Sequence, residues 1–206
     1  MKHYRWFAGC VAVALGLVAN GPALAQETAD AAVKRASQEL LQIIRADPKV
    51  QAGDQARIRE VVEAKVFPNI DFERMTSLAM GRNWRVASPE QQKRLIEEFR
   101  TLLVRTYSGA LSQYRDQTMD YKPVRAEPNA TEVTVRTEVL RAGQAPVPID
   151  YSMTKKTDGW QAYDIVVGGV SLVTNYRDEF SEQIKAGGID GLIKTLAAKN
   201  KSTGSK

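Results

Sequence analysis

The apolar residues of this chain change their period once and then change it back, and that switch limits the possible folds more than any other feature. Between Ala32 and Tyr114 they recur at spacings of three and four, the mark of helices buried on one face. After Asp116 they alternate, with Val133, Val135, Thr137 and Val139 on one side and Thr134, Arg136 and Glu138 on the other. From Ser171 onward the helical spacing returns. Helices, then strands, then helices in separate blocks specify an α+β fold. A curved, mainly antiparallel sheet of about four strands is expected, packed against several helices rather than sandwiched as a doubly wound parallel sheet.

Local signals divide the first block. Ala32, Ala36, Leu40, Ile43 and Ile44 share one helix face that ends near Asp47-Pro48, where proline disfavours continuation. Asp54 is placed to cap a second helix with the stripe Ile58, Val61, Val62 and Val66, stopped by Phe67-Pro68. A third helix opens at Asp71 and ends at Gly81. The clearest begins at Ser88-Pro89-Glu90-Gln91, where serine is the N-cap, proline is N1 and glutamine at N3 completes a capping box. Its stripe of Leu95, Phe99, Leu102, Leu103, Tyr107, Leu111 and Tyr114 predicts a helix to about Tyr114.

In the middle block Ile149, Tyr151 and Met153 give a second strand face, and Trp160 to Val167 a third, joined by a tight turn at Asp158-Gly159. Tyr121 to Arg125 is expected to add an edge strand. The last helical block runs through Phe180 and Ile184, breaks at Gly187-Gly188 and resumes through Leu192, Ile193 and Leu196. Lys199 to Lys206 reads as a polar flexible tail.

The first 25 residues read as a cleavable signal peptide. Lys2 and Arg5 form a basic start, Phe7 to Val18 is an apolar run, and Ala23-Leu24-Ala25 supplies a cleavage pattern, with Asn20, Gly21 and Pro22 interrupting the run too early for a membrane span. Cleavage after Ala25 would leave 181 of the 206 residues and remove both Cys10 and His3, the only cysteine and the only histidine. A Ser-His-Asp triad, a cysteine nucleophile, a zinc site on His or Cys and any disulfide are thereby excluded from the mature chain. The signal holds two of the 29 Lys and Arg residues and no acid, leaving 27 bases against 24 acids. That mild excess suits ordinary solubility. No Lys/Arg block with interleaved aromatics points to nucleic acid.

Three stretches in order carry a family resemblance: Gly81-Arg82-Asn83-Trp84; Ser88-Pro89-Glu90-Gln91 leading to Leu103-Val104-Arg105-Thr106-Tyr107; and Gly169-Val170-Ser171-Leu172 leading to Asn175-Tyr176-Arg177. With Trp160-Gln161-Ala162-Tyr163-Asp164 and Gly188-Ile189-Asp190-Gly191-Leu192-Ile193, they make the chain resemble the MlaC/toluene-tolerance family over 26–198. The one departure is Gly168, where the family pattern leads to an acid.

The resemblance implies a periplasmic phospholipid carrier working between an outer-membrane lipoprotein-porin complex and an inner-membrane ABC transporter complex. It implies no cofactor, no metal and no catalytic residue, only phospholipid as cargo. The inner sheet face, with Val135, Val139, Ile149, Tyr151, Met153, Ile165 and Val167, opposes helical stripes carrying Met75, Leu78, Phe99, Leu103, Tyr107 and Leu111. From the residues alone a filled core is the ordinary outcome of such facing stripes. The resemblance implies instead an enclosed apolar cavity lined by these thirteen side chains.

Other assignments follow from residue type. Arg82, Arg85 and Arg177 are candidates for a phosphate at the mouth, because guanidinium forks match phosphate oxygens. Trp84 is expected to staple helices together. Two other classes stay open: an adaptor or chaperone of envelope proteins working through an apolar groove, and an enzyme with Asp150 or Asp164 as base and Tyr107, Tyr151 or Tyr163 as donor.

Overall fold

A computed structural model of the chain describes residues 27–111, 116–127 and 129–201. The expected signal peptide lies outside these residues, as does Tyr114. The elements are α1 (Ala29–Ala46), α2 (Pro48–Gln51), α3 (Gln55–Lys65), a 3-10 turn at Phe67–Asn69, α4 (Phe72–Met80), a second 3-10 turn at Gly81–Val86 and α5 (Pro89–Leu111). Strands β1 (Thr118–Tyr121), β2 (Glu132–Leu140), β3 (Val147–Lys156), β4 (Gly159–Val167) and β5 (Val170–Ser171) follow, then α6 (Leu172–Lys201).

Side-chain caps start the helices where the sequence places them. Asp54 accepts from the amides of Ala56 and Arg57, both at 3.0 Å. At α5 the capping box closes in both directions, the Gln91 amide donating to Ser88 Oγ at 3.2 Å and the Ser88 amide to Gln91 Oε1 at 3.0 Å. Pro48 both stops α1 and opens α2, because a residue with no N–H loses nothing at the first helical position.

The five strands pair antiparallel in the order β1-β2-β3-β4-β5 and do not close into a barrel. One strand more is present than expected, the extra being the two-residue β5. The expected edge strand over 121–125 is displaced: β1 ends at Tyr121, and only the Lys122 amide continues toward β2, donating to Arg136 O at 3.0 Å. Pro123 has no N–H to donate, so a ladder cannot run through it.

Ser152 pairs with Asp164 and Met153 with Ala162, which leaves Tyr163 as an extra residue on β4. Such a bulge bends the strand and increases its twist, so the sheet curves around what lies on its inner face. The next turn explains Gly168. Val167 pairs with Val170 across Gly168 and Gly169, whose φ values of 58° and 86° are those of a type I′ hairpin turn. Asp-Gly and Gly-Gly both suit that turn, so glycine here preserves the geometry that an acid followed by glycine would give.

Packing falls into three clusters. Phe99, fully buried, meets Tyr176 and Phe180 edge-on at 4.9 and 5.1 Å in the core of α4, α5 and α6, and Trp84 packs half-buried against the same cluster as a staple. Ile44, Val50, Ile58 and Val62 knit α1, α2 and α3. Ala29 and Val33 of α1 sit against Val135, Met153 and Ala162 of the sheet. α6 breaks at Gly188, where φ is 69°, and then continues to Lys201. Lys199, Asn200 and Lys201, expected in the polar tail, are thus helical, and the rest of that stretch lies outside the described residues. Asn200 Nδ2 donates to Glu98 O at 2.9 Å and to Glu98 Oε2 at 2.8 Å, and Lys199 pairs with Glu179, so both are held against helices. Among the described residues no helix is long and apolar enough to cross a membrane.

Candidate functional site

The three clusters leave a gap between them. A cavity of about 370 Å³ lies between the inner face of the sheet and α1, α3, α4 and α5, within the size range of small-molecule sites. Its sheet wall follows from strand alternation: Val139 of β2, Ile149, Tyr151 and Met153 of β3, and Ile165 and Val167 of β4 all face inward, as expected. From the helices, Met75 of α4 and Leu103 and Tyr107 of α5 complete the expected set that lines it.

Three of the expected lining residues do not line it. Phe99 and Leu78 point into the α4–α5–α6 core, and Val135, fully buried, packs against Ala29 and Val33. The reason is rotational: a broad stripe on α5 must serve two neighbours, so Leu103 and Tyr107 meet the cavity while Leu95 and Phe99 meet α6. The side chain of Leu111 lies outside the described residues.

The largest contribution unforeseen from sequence is α1. Ala32, Ala36, Leu40 and Ile44, spaced four apart, turn one face of the helix to the cavity, and two of the four are only methyl groups. That stripe is visible in the sequence as a helix face, but nothing in it says which partner it covers. Phe67, Ile70 and Phe72 also line the space. They are held there because the Asp71 amide donates to Ala162 O at 2.9 Å and Ile70 forms a parallel bridge to Ala162. Trp160 and Ala162 of β4 and Leu172 of α6 close the remaining sides.

Polar groups in the lining are few and engaged. Ser37 Oγ lies 2.7 Å from the Tyr121 hydroxyl, and Ser108 donates to Gln55 Oε1 at 2.9 Å. Burial, followed by the neighbouring Tyr176 hydroxyl, holds the Tyr107 phenol above its ordinary value of 10.0, so it is a neutral donor across the physiological range. Lys65 supplies the one ionised side chain of the lining, and no Asp or Glu is among its residues.

The arginines expected to meet phosphate stand elsewhere. Arg82 and Arg85 project from the 3-10 turn before α5, and Arg177 Nε donates to Leu78 O at 2.9 Å; none of the three lines the cavity. The carboxylates of the enzyme reading, Asp150 and Asp164, are also not among the residues that line the cavity. Asp164 accepts from Ser171 Oγ at 2.7 Å and from the Val173 amide at 3.1 Å, and Asp150 faces Arg136 at 3.8 Å. Tyr163, displaced by the bulge, lies under the Arg74 guanidinium at 3.7 Å and donates to Glu132 Oε2 at 3.3 Å. Among the described residues no cluster of His, Cys, Asp or Glu could hold a metal ion.

The family model described as "MlaC protein" matches residues 34–198, which span the cavity walls from α1 to α6. The chain belongs to the MlaC family. Two curated relatives agree. The intermembrane phospholipid transport system binding protein MlaC of Haemophilus influenzae is 23% identical over 92% of this chain and 90% of its own length. The toluene tolerance protein ttg2D of Pseudomonas putida is 25% identical over 88% of this chain and 85% of its own. Among solved structures, a phospholipid-binding protein from Ralstonia solanacearum, in complex with a phospholipid, superposes with a TM-score of 0.81 at 41% identity. That match covers 84% of this chain and 97% of the other.

Proposed function

We propose that this family member carries phospholipid, with the acyl chains in the cavity between the sheet and α1, α3, α4 and α5. The observation that carries the reading is the lining itself: about 370 Å³ of space walled by aliphatic and aromatic side chains, with no carboxylate among them. Two acyl chains with roughly thirty methylenes forfeit on the order of 20 kcal/mol when exposed to water, at about 0.8 kcal/mol each. A soluble carrier has to offset most of that cost, and an apolar cleft does so without any catalytic group or resident cofactor. The phospholipid bound by the Ralstonia solanacearum protein supports the same occupant.

In this reading the chain is exported, loses its signal peptide after Ala25, and works in the periplasm from Gln26 onward. Its partners are an inner-membrane ABC transport complex and an outer-membrane lipoprotein-porin complex, between which it shuttles lipid. The thirteen expected contact residues reduce in this proposal to the nine on the cavity wall, joined by the α1 face. The test is transfer of a labelled phospholipid from donor to acceptor vesicles. The reading predicts a rate that rises with protein concentration, whereas a rate no faster than spontaneous exchange contradicts it.

A further inference from the structure

The lining of the cavity is electrically one-sided, and the side is set by a single residue. Lys65, the last residue of α3, contributes to the cavity wall while its side chain stays 44% exposed, so the residue reaches from the apolar lining to solvent. No acid lines the cavity to neutralise it. Its nearest carboxylate is Glu39 of α1, at 3.7 Å and itself half-exposed. That separation exceeds the roughly 2.7–2.9 Å of a charge-assisted hydrogen bond, and exposed pairs of this kind contribute little. With three N–H donors and one loosely placed carboxylate, the ammonium can meet a second anion.

The end of a helix would ordinarily repel an anion through its unsatisfied carbonyls. Here two of the last carbonyls of α3 are bonded, the Val66 amide donating to Val62 O at 2.9 Å and Asn69 Nδ2 to Lys65 O at 2.8 Å. Asn69 also lines the cavity. Lys65 is the one charged residue of the lining beside them.

We infer that Lys65 is a headgroup seat, its ammonium meeting the phosphodiester of a lipid whose tails occupy the cavity. The inference rests on the lipid-carrier reading and adds to it a preference: lipids bearing an anionic phosphate are favoured over neutral lipids with the same tails. A tail-only site would discriminate between them little.

Binding of phosphatidylglycerol and of diacylglycerol with identical acyl chains, each displacing the same fluorescent fatty-acyl probe, decides this. The unsubstituted chain should favour phosphatidylglycerol about fivefold, the scale of one partly exposed charge pair. Lys65→Gln should bring the ratio close to one, Lys65→Arg should restore it, and Glu39→Gln, which removes the competing carboxylate, should raise it. An unchanged ratio in both Lys65→Gln and Glu39→Gln overturns the seat while leaving carriage intact; failure of the unsubstituted chain to bind either lipid defeats the carrier reading itself. Inorganic phosphate alone should perturb the Lys65 ammonium in NMR spectra far less than phosphatidylglycerol does. An equal response would assign the site to free phosphate and overturn the headgroup assignment.

Discussion

The Asp164 carboxylate accepts the Ser171 hydroxyl at 2.7 Å, across the glycine turn that joins β4 to β5. Its other oxygen accepts the Val173 amide at 3.1 Å in the first turn of α6, and Ser171 Oγ in turn accepts the Thr174 amide at 3.0 Å. This carboxylate fastens the sheet to the helix that closes the cavity at Leu172. Asp164→Ala should lower stability by about 1–3 kcal/mol, the range for breaking a partly buried charged hydrogen-bond set. Chemical denaturation checks this, and an unchanged midpoint would remove Asp164 from that role.

Ala36 sits half-buried on the α1 wall of the cavity. Ala36→Trp should fill the space that the methyl leaves and displace the cargo. The expected outcome is much weaker phospholipid retention in a chain whose circular dichroism is unchanged. Full retention would place the tails elsewhere.

Phe99 gives the opposite test. It is fully buried between Tyr176 and Phe180 and does not line the cavity. Phe99→Ala should cost about 3–5 kcal/mol of stability, yet under conditions where the variant stays folded it should retain phospholipid. Selective loss of lipid without loss of stability would contradict the division between core and cavity.

The surface ion pairs set a pH dependence. A side-chain bond from Lys122 holds Asp120 below its ordinary 3.8, and Arg74 does the same for Glu132 relative to 4.5. A depressed carboxylate stabilises the fold above its unfolded value and loses that contribution as pH falls through its lower folded value. Lys122, bonded to Asp120 and Glu138, is raised to about 12, so its contribution is complete below 10.5 and is lost as pH rises through about 12. Thermal unfolding followed across pH should show stability falling at both extremes. Lys122→Met should flatten both limbs, the acid one through Asp120.

Much of the architecture is legible in the sequence because it is written in local chemistry. Asp54, the Ser88–Gln91 pair and the return to a helical period at Ser171 fix where helices start, and the alternation from Val133 to Val139 fixes which side of the sheet is apolar. Rotation of helices against partners is not local. The sequence shows that Phe99 and Leu103 share a stripe, but which of them meets α6 and which meets open space depends on how α5 sits between two layers. For the same reason α1 reads as an amphipathic helix and not as a cavity wall. Arginines at helix ends suggest a phosphate site by residue type alone, and the fold leaves all three off the cavity wall, where Lys65 is the charged residue.

Native mass spectrometry of the purified mature protein, with organic extraction and identification of what is released, decides whether phospholipid is the cargo. Mass increments matching phospholipid are expected, and they should disappear in Ala36→Trp. A lipid-free protein that also refuses added phospholipid would contradict it.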